Sequence, residues 1–188
     1  MQIKKYGIVL KSITAADIEL MRHWRNQDHV RLNMQYQKII SSEQQAKWFL
    51  DLDLKTNLYF VIKKENEKIG IVHLKEINWQ SKQAEAGIFI GEVAHLNTIS
   101  PLLATITIME FAFDILKLEI LKAKIASTNY KVILFNESIG YVKAGQQNEA
   151  FQYYETNQHL FLEATKNIRN TLLKLNVNQE FTISEEKK

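Results

Sequence analysis

Apolar and polar positions alternate through YGIVLKSI, which predicts a first strand from Tyr6. The period then lengthens. In TAADIELMRHWRN, Ile18, Met21 and Trp24 share one helical face, with Thr14 as cap and Asp17 at the third position. SSEQQAKWFLDLDL predicts a second helix, capped by Ser41 or Ser42, with Trp48, Phe49 and Leu52 turned inward. LYFVIKKENEKIGIVHLKEI reads as a hairpin around the polar turn Glu65–Lys68, and AEAGIFIGEV as a further strand. Pro101 to Leu116 is helical, ILKAKIAS a strand, and YKVILFNESIG a short helix stopped by Gly140. YVKAGQQ and FQYYETNQHLFLEATKN read as two closing strands. From Arg169 come a weak helix and a frayed end, SEEKK. The order β-α-α-β-β-β-α-β-α-β-β predicts one α/β domain over residues 1–168 and a weakly structured extension over 169–188. Its sheet is mixed, since hairpins pair strands antiparallel and a crossover helix joins parallel ones.

Composition narrows the function classes. At 188 residues, 46% apolar and 24% charged, the chain has the make-up of a soluble globular domain. No apolar run is long enough to span a bilayer, and MQIKKYGIVLKS has no signal-peptide core, so membrane binding is not expected and a cytoplasmic location is. There is no cysteine, hence no disulfide framework, thiolate nucleophile or zinc-thiolate site. A net charge of +3 from scattered Lys and Arg does not argue for nucleic acid. No cluster has metal-ligand spacing, so no metal is expected, and neither a Gly-x-Ser-x-Gly elbow nor a dinucleotide fingerprint occurs. The Met and Phe positions of TIMEFAF fall at core spacing.

HLNTISPLLATI, His95 to Ile106, sits between a strand and a helix. Ser100 is a favoured cap and Pro101 a favoured first residue, with no acidic side chain following. The free N–H groups of such a helix start suit a pyrophosphate, and Thr98 and Ser100 add hydroxyls where glycines would allow closer approach. The other reading is a well-capped structural helix.

Taken in order, HWRNQDHVRLNM, IISSEQQAKWFLDL, YFVIKKENEKIGIVHLKEIN and ASTNYKVILFNESIGY resemble the GNAT superfamily of acyl-CoA-dependent N-acetyltransferases over residues 3–165. The front of the chain looks most like the branch that acetylates nucleotide-linked amino sugars, as in pseudaminic acid biosynthesis. That branch is related to enzymes acetylating the N-termini of ribosomal proteins. The resemblance implies a mixed, mostly antiparallel central sheet with splayed parallel strands, flanked by helices. Acetyl-CoA, as acyl donor, would lie in the V-shaped opening, its pantetheine pairing with backbone of Ile88, Phe89 and Ile90. The pyrophosphate loop would be His95, Leu96, Asn97, Thr98, Ile99 and Ser100, departing from the family's glycine-bearing pattern at Thr98 and Ser100. Asn129 matches a family asparagine that positions CoA, and it also reads as a helix cap.

Direct transfer from a thioester to an amine needs a neutral amine, a donor for the carbonyl oxygen and a proton source for the thiolate. Glu85, opening its strand, is the expected base, acting through water; Glu92, His73 and Glu76 rank behind it. Asn136 stands where many members place an acidic tyrosine. An amide can hydrogen-bond sulfur but cannot protonate it, so water, Tyr130 or Tyr141 would serve. The acceptor side would comprise Trp24, Arg25, Asn26, Arg31 and Met34, with Trp48 behind, since arginine grips phosphate and flat or soft side chains take a nucleobase. The other reading has Trp24 and Trp48 in the core and Arg25 paired with Asp28. Gln45 replaces a histidine common in the branch, and His29 carries little weight as a ligand or base. The expected function is acetyl transfer to the amine of a nucleotide-linked amino sugar. The competing expectations are a protein N-terminal acetyltransferase and a non-catalytic GNAT domain with a degenerate loop. An edge strand near the C-terminal hairpin offers a route to a homodimer.

Overall fold

The alternating runs pair into one sheet because each buries a single side-chain parity on either face. The computed structural model describes residues 1–145, 148, 150–175, 177–178 and 180–184. Among these, the strands are β1 (Gln2–Lys5), β2 (Ile8–Ser12), β3 (Leu58–Lys64), β4 (Glu67–Asn78), β5 (Gln83–Ile90), β6 (Ile120–Ala126), β7 (Val142–Lys143), β8 (Phe151–Asn157) and β9 (Thr182–Ser184). They lie in the order β7-β8-β6-β5-β4-β3-β2-β1-β9. Neighbours are antiparallel except β5 and β6, which run parallel. The mixed, mostly antiparallel architecture is the one expected.

Helices cover both faces. The larger core packs α4 (Ser100–Glu110), buried almost all round, against Leu10, Phe60, Ile62, Val72 and Leu74. On the opposite face α1 (Ile18–Asn26), α2 (Asp28–Arg31) and α3 (Ser42–Leu50) cover Val61, Ile71 and Phe89. The remaining helices are α5 (Tyr130–Ser138), α6 (Gln158–Ala164) and α7 (Lys166–Lys174). Expected caps recur: Thr14 N–H donates to Asp17 at 2.9 Å, and Gln44 N–H to the Ser41 hydroxyl at 3.2 Å. Burial alone would raise the Asp17 carboxyl, but hydrogen bonds from Lys68 and Thr14 outweigh it and hold the group below its usual range.

Three segments differ from the reading of the sequence. Tyr6 and Gly7 both have positive φ, 53° and 72°, as a two-residue hairpin turn requires; the strand read from Tyr6 is therefore the second arm of a hairpin with β1. The long strand read from Phe151 ends at Asn157, whose side chain accepts the Leu160 N–H at 3.0 Å and starts α6. Thr182–Ser184 pairs with β1 at the sheet edge. Of YVKAGQQ only Val142–Lys143 is strand; Gln146 and Gln147, and Glu185 to Lys188 of SEEKK, lie outside the described residues.

Glu110, at the end of α4, is 4% exposed and partnered by the first hairpin. It accepts from the Tyr6 hydroxyl at 2.9 Å and pairs with Lys5 Nζ at 2.8 Å; Arg169 of α7 lies 3.9 Å away. The knot joins the first hairpin, the central helix and α7.

Candidate active site

The parallel pair is short. Gln83, Ala84 and Glu85 pair with Ile120, Leu121 and Lys122, and beyond them β5 and β6 part while β5 stays paired with β4 and β6 with β8. The Gly91 N–H bonds the Ile69 carbonyl at 2.9 Å, which fixes the alternation of the β4–β5 ladder. Phe89 and Gly87 bond across to Ile71 and His73, while Ala86, Ile88 and Ile90 turn their N–H and C=O groups into the opening. Of the three residues expected to offer backbone partners, Ile88 and Ile90 do so. Phe89 does not, because register spends its groups on Ile71. The Ile90 carbonyl is already met by His29 Nε2 at 3.2 Å, so of these three Ile88 alone keeps both groups without a partner among the described residues.

Below the opening, Gly91 passes under Trp24, and a Cβ there would fall inside the indole ring. The loop then enters α4 one residue earlier than its sequence suggests. Ile99 occupies the cap position, and Thr98 Oγ1, not Ser100, accepts the Ser100 N–H at 3.3 Å. Ser100 is the first residue of the helix and is buried. Neither is His95 free: its Nε2 lies 3.0 Å from Glu67 of the β3–β4 turn. Leu96 N–H closes a turn onto Val93, whereas the N–H groups of Asn97, Ile99 and Leu102 meet no acceptor among the described residues. A cavity of about 510 Å³ separates this loop from the β3–β4 turn.

Glu85 stands where the strands part, on the α1–α3 face, with Lys75 Nζ 2.9 Å away. A cavity of about 480 Å³ opens beside it, between β5, β6 and β8. Further along the same face His73 leans over Gly87, where a Cβ would meet its Cε1 and Nε2 at 2.6 Å. Its ring stacks on Tyr59 with centroids 4.9 Å apart, and Trp48 meets Tyr59 edge-on at 5.1 Å. Burial, with Lys75 and Arg25 nearby, pushes His73 down to about 3, so the imidazole is neutral. Burial first, then Glu85, pushes the Tyr59 hydroxyl up to about 12.

The remaining expected residues divide. Trp24 is 1% exposed and donates to Glu92 at 2.8 Å; it is a core anchor, not a surface for a base to stack on. Asn26 donates to the Ile40 carbonyl at 2.9 Å and accepts its N–H at 2.8 Å, bracing the loop before α3. Arg31 is tied to Asp28 at 2.6 Å and to the Gln37 carbonyl at 2.7 Å. Asp28 is therefore spent on Arg31, and Arg25 has no carboxylate partner among the described residues; its Nη1 is buried without an acceptor. Met34 is half-buried against the α1–α3 cluster, and Gln45 is the one buried residue of α3. Asn129 caps α5, accepting the Val132 N–H at 3.3 Å. The Asn136 amide donates one N–H back to the Val132 carbonyl at 2.8 Å, which leaves its oxygen and its second N–H for a ligand. Sequence reasoning passed over Tyr59 and Gly87 and ranked His73 and His29 low; the His73–Gly87 cross-strand pairing was the available signal. Among the described residues no side-chain group is placed to hold a metal, and no helix is long and apolar enough to cross a membrane.

The lowered His73 value has a consequence for stability. The unfolded chain protonates near 6.5 and the folded site only near 3, so this residue costs nothing above pH 6.5 and progressively destabilises the fold as pH falls toward 3. Between pH 7 and 4.5 the loss is at most roughly 2–3 kcal/mol. Urea unfolding at both values should show that His73→Phe loses less stability on acidification than the parent; equal losses would refute the assignment.

Comparison with known proteins places these features in context. The model of a family described as an acetyltransferase (GNAT) domain matches residues 10–161. The chain is 25% identical over 155 residues to the acetyltransferase PseH of Campylobacter jejuni, covering 82% of this chain and 88% of that protein. The structure of FdhC, a nucleotide-linked sugar GNAT, superposes with a TM-score of 0.76 at 21% identity, covering 90% of this chain and 97% of that one. A spermidine N-acetyltransferase from Vibrio cholerae, in complex with CoA and spermine, gives 0.73 at 19% identity, covering 83% and 98%. The two structural likenesses fix the fold alone.

Proposed function

The chain belongs to the GNAT acetyltransferase family, and from that premise we propose that it transfers an acetyl group from acetyl-CoA directly to the amine of a nucleotide-linked amino sugar. The observation that carries the choice of acceptor is Arg25, a half-buried guanidinium with no carboxylate partner among the described residues, beside Tyr59 on the face that holds Glu85. An unpaired buried cation calls for an anionic ligand and repels a polyamine. The likenesses to PseH and FdhC agree with this acceptor, although spermidine acetyltransferases share the fold.

The donor side is compatible with an extended pantetheine. The free N–H and C=O of Ile88 offer strand-like pairing inside the opening. The loop His95–Ser100 offers the N–H groups of Asn97 and Ile99, and Leu102 adds another at the helix start, for a pyrophosphate. His95, already paired with Glu67, does not serve as the family's basic residue there. The amine nitrogen attacks the thioester carbonyl carbon, the C–N bond forms as the C–S bond breaks, and the amine proton leaves through water toward Glu85. Lys75 Nζ, 2.9 Å away, holds that carboxylate in place. The thiolate takes its proton from water, held by the Asn136 oxygen, since an amide has no acidic proton to give.

Thiol release from acetyl-CoA should accelerate with UDP-linked amino sugars and not with spermidine or with peptides bearing ribosomal-protein N-termini. Preference for spermidine or a peptide would overturn the acceptor assignment. Glu85→Gln should lower kcat by about 100-fold with little change in KM, as loss of a general base does. An unchanged kcat would remove Glu85 from the chemistry.

A further inference from the structure

We propose that Arg25, Tyr59 and His73 form one anion site that holds the diphosphate of the acceptor. The inference rests on the nucleotide-sugar reading above and adds to it two residues and a protonation state.

The three side chains share the α1–α3 face. Tyr59 and His73 stand opposite each other on β3 and β4, stacked at 4.9 Å, and Arg25 of α1 lies near enough to act electrostatically on both. No hydrogen-bond acceptor among the described residues meets any of them. For His73 this points to one tautomer. Nδ1 is buried without a partner, and burying a bare lone pair costs less than burying an unpaired N–H, so the proton sits on Nε2. Nε2 is the atom that leans over Gly87, beside the parting strands. Tyr59, with its hydroxyl pushed up to about 12, also stays protonated. The patch thus presents the Arg25 guanidinium, the Tyr59 O–H and the His73 Nε2–H, all donors.

Donors left unsatisfied in a half-buried site are costly unless a ligand supplies the acceptors. Phosphate oxygens do so, and the guanidinium balances their charge. Glycine at 87 is what makes the arrangement possible, because any side chain there would push the imidazole away. Trp48, edge-on to Tyr59, fixes the phenol ring from behind.

The test uses the intact protein and UDP, which carries the diphosphate but no amine, with uridine and inorganic pyrophosphate as comparison ligands. Calorimetry should show UDP and pyrophosphate binding and uridine not. Tyr59→Phe and His73→Phe keep both rings and remove one donor each. Each should weaken UDP about tenfold or more, because a hydrogen bond to a charged group is worth at least that. In the same variants KM for the nucleotide sugar should rise by a like factor while KM for acetyl-CoA stays put. His73→Gln, which restores a donor near the Nε2 position, should recover part of the affinity, a result that mere structural support by the ring would not give. On UDP binding, the labelled His73 ring should change its NMR shift without becoming protonated. UDP affinity within twofold of the parent in both phenylalanine variants overturns the site. If nucleotide sugars are acetylated but the variants bind UDP normally, the anion site fails and the acetyl transfer stands. If UDP binds through these residues but no nucleotide sugar is turned over, the reaction assignment fails and the site stands.

Discussion

Gly91→Ala is expected to destabilise the fold by about 2–4 kcal/mol and to raise KM for acetyl-CoA. Its Cβ would fall within the Trp24 ring, which is 1% exposed and cannot move without breaking its 2.8 Å bond to Glu92. Overpacking of this kind costs about 1–3 kcal/mol, and the lost buried hydrogen bond adds about 1. Glu92 caps the short turn Val93–His95 that leads into the pyrophosphate loop, so a displaced indole shifts it. Trp24→Ala alone should cost about 3–5 kcal/mol by leaving a cavity. The decisive measurement is the double variant. If the clash is the cause, Gly91→Ala should cost far less in the Trp24→Ala background than in the parent, by denaturant unfolding. Additive losses, or a Gly91→Ala protein as stable as the parent, would dismiss the argument.

Arg25→Gln should lower kcat/KM for the nucleotide sugar by about 100-fold, mostly through KM. Truncating a buried charge-assisted contact costs about 2–5 kcal/mol, and each 1.4 is a factor of ten. The substitution leaves no carboxylate stranded, because Asp28 belongs to Arg31. Thermal melting should therefore stay near the parent value while acceptor KM moves. Arg31→Gln provides the contrast: it should loosen the loop that ends at Ile40 yet change acceptor affinity less. Equal effects of the two substitutions on KM would mean that Arg25 only supports the arm and touches no ligand.

The features legible in the sequence are those decided within a few residues. Ile18, Met21 and Trp24 mark the buried face of α1, Asn129 caps α5, and Gly140 takes φ 95°, as a helix stop needs. Segments fixed by remote partners were hidden. QIKK carries one apolar residue and becomes a strand only by pairing with β2 and β9. Leu160 and Leu162 continue the alternation of β8, so the pattern does not betray that Asn157 has started a helix. The site divides the same way. Residue types and order marked the opening, Glu85 and the arginine-bearing arm. Which donors stay unpaired depends on register and on competition between neighbours. Ladder parity takes Phe89 out of the opening, Arg31 claims Asp28, and Glu67 claims His95.

The knot at Glu110 also sets an order of events at the ribosome. Tyr6, Lys5 and Glu110 can meet once the first three-fifths of the chain has emerged, but Arg169 follows roughly 60 residues later, about 3–12 s at ordinary synthesis rates. Until then α4 lacks α7 beside it, and the apolar surface that Phe161 and Leu172 later seal stays open. The nascent chain therefore passes through a stage with its first hairpin and central helix formed and one flank unsealed. That stage is where a holding chaperone would act and where aggregation would begin.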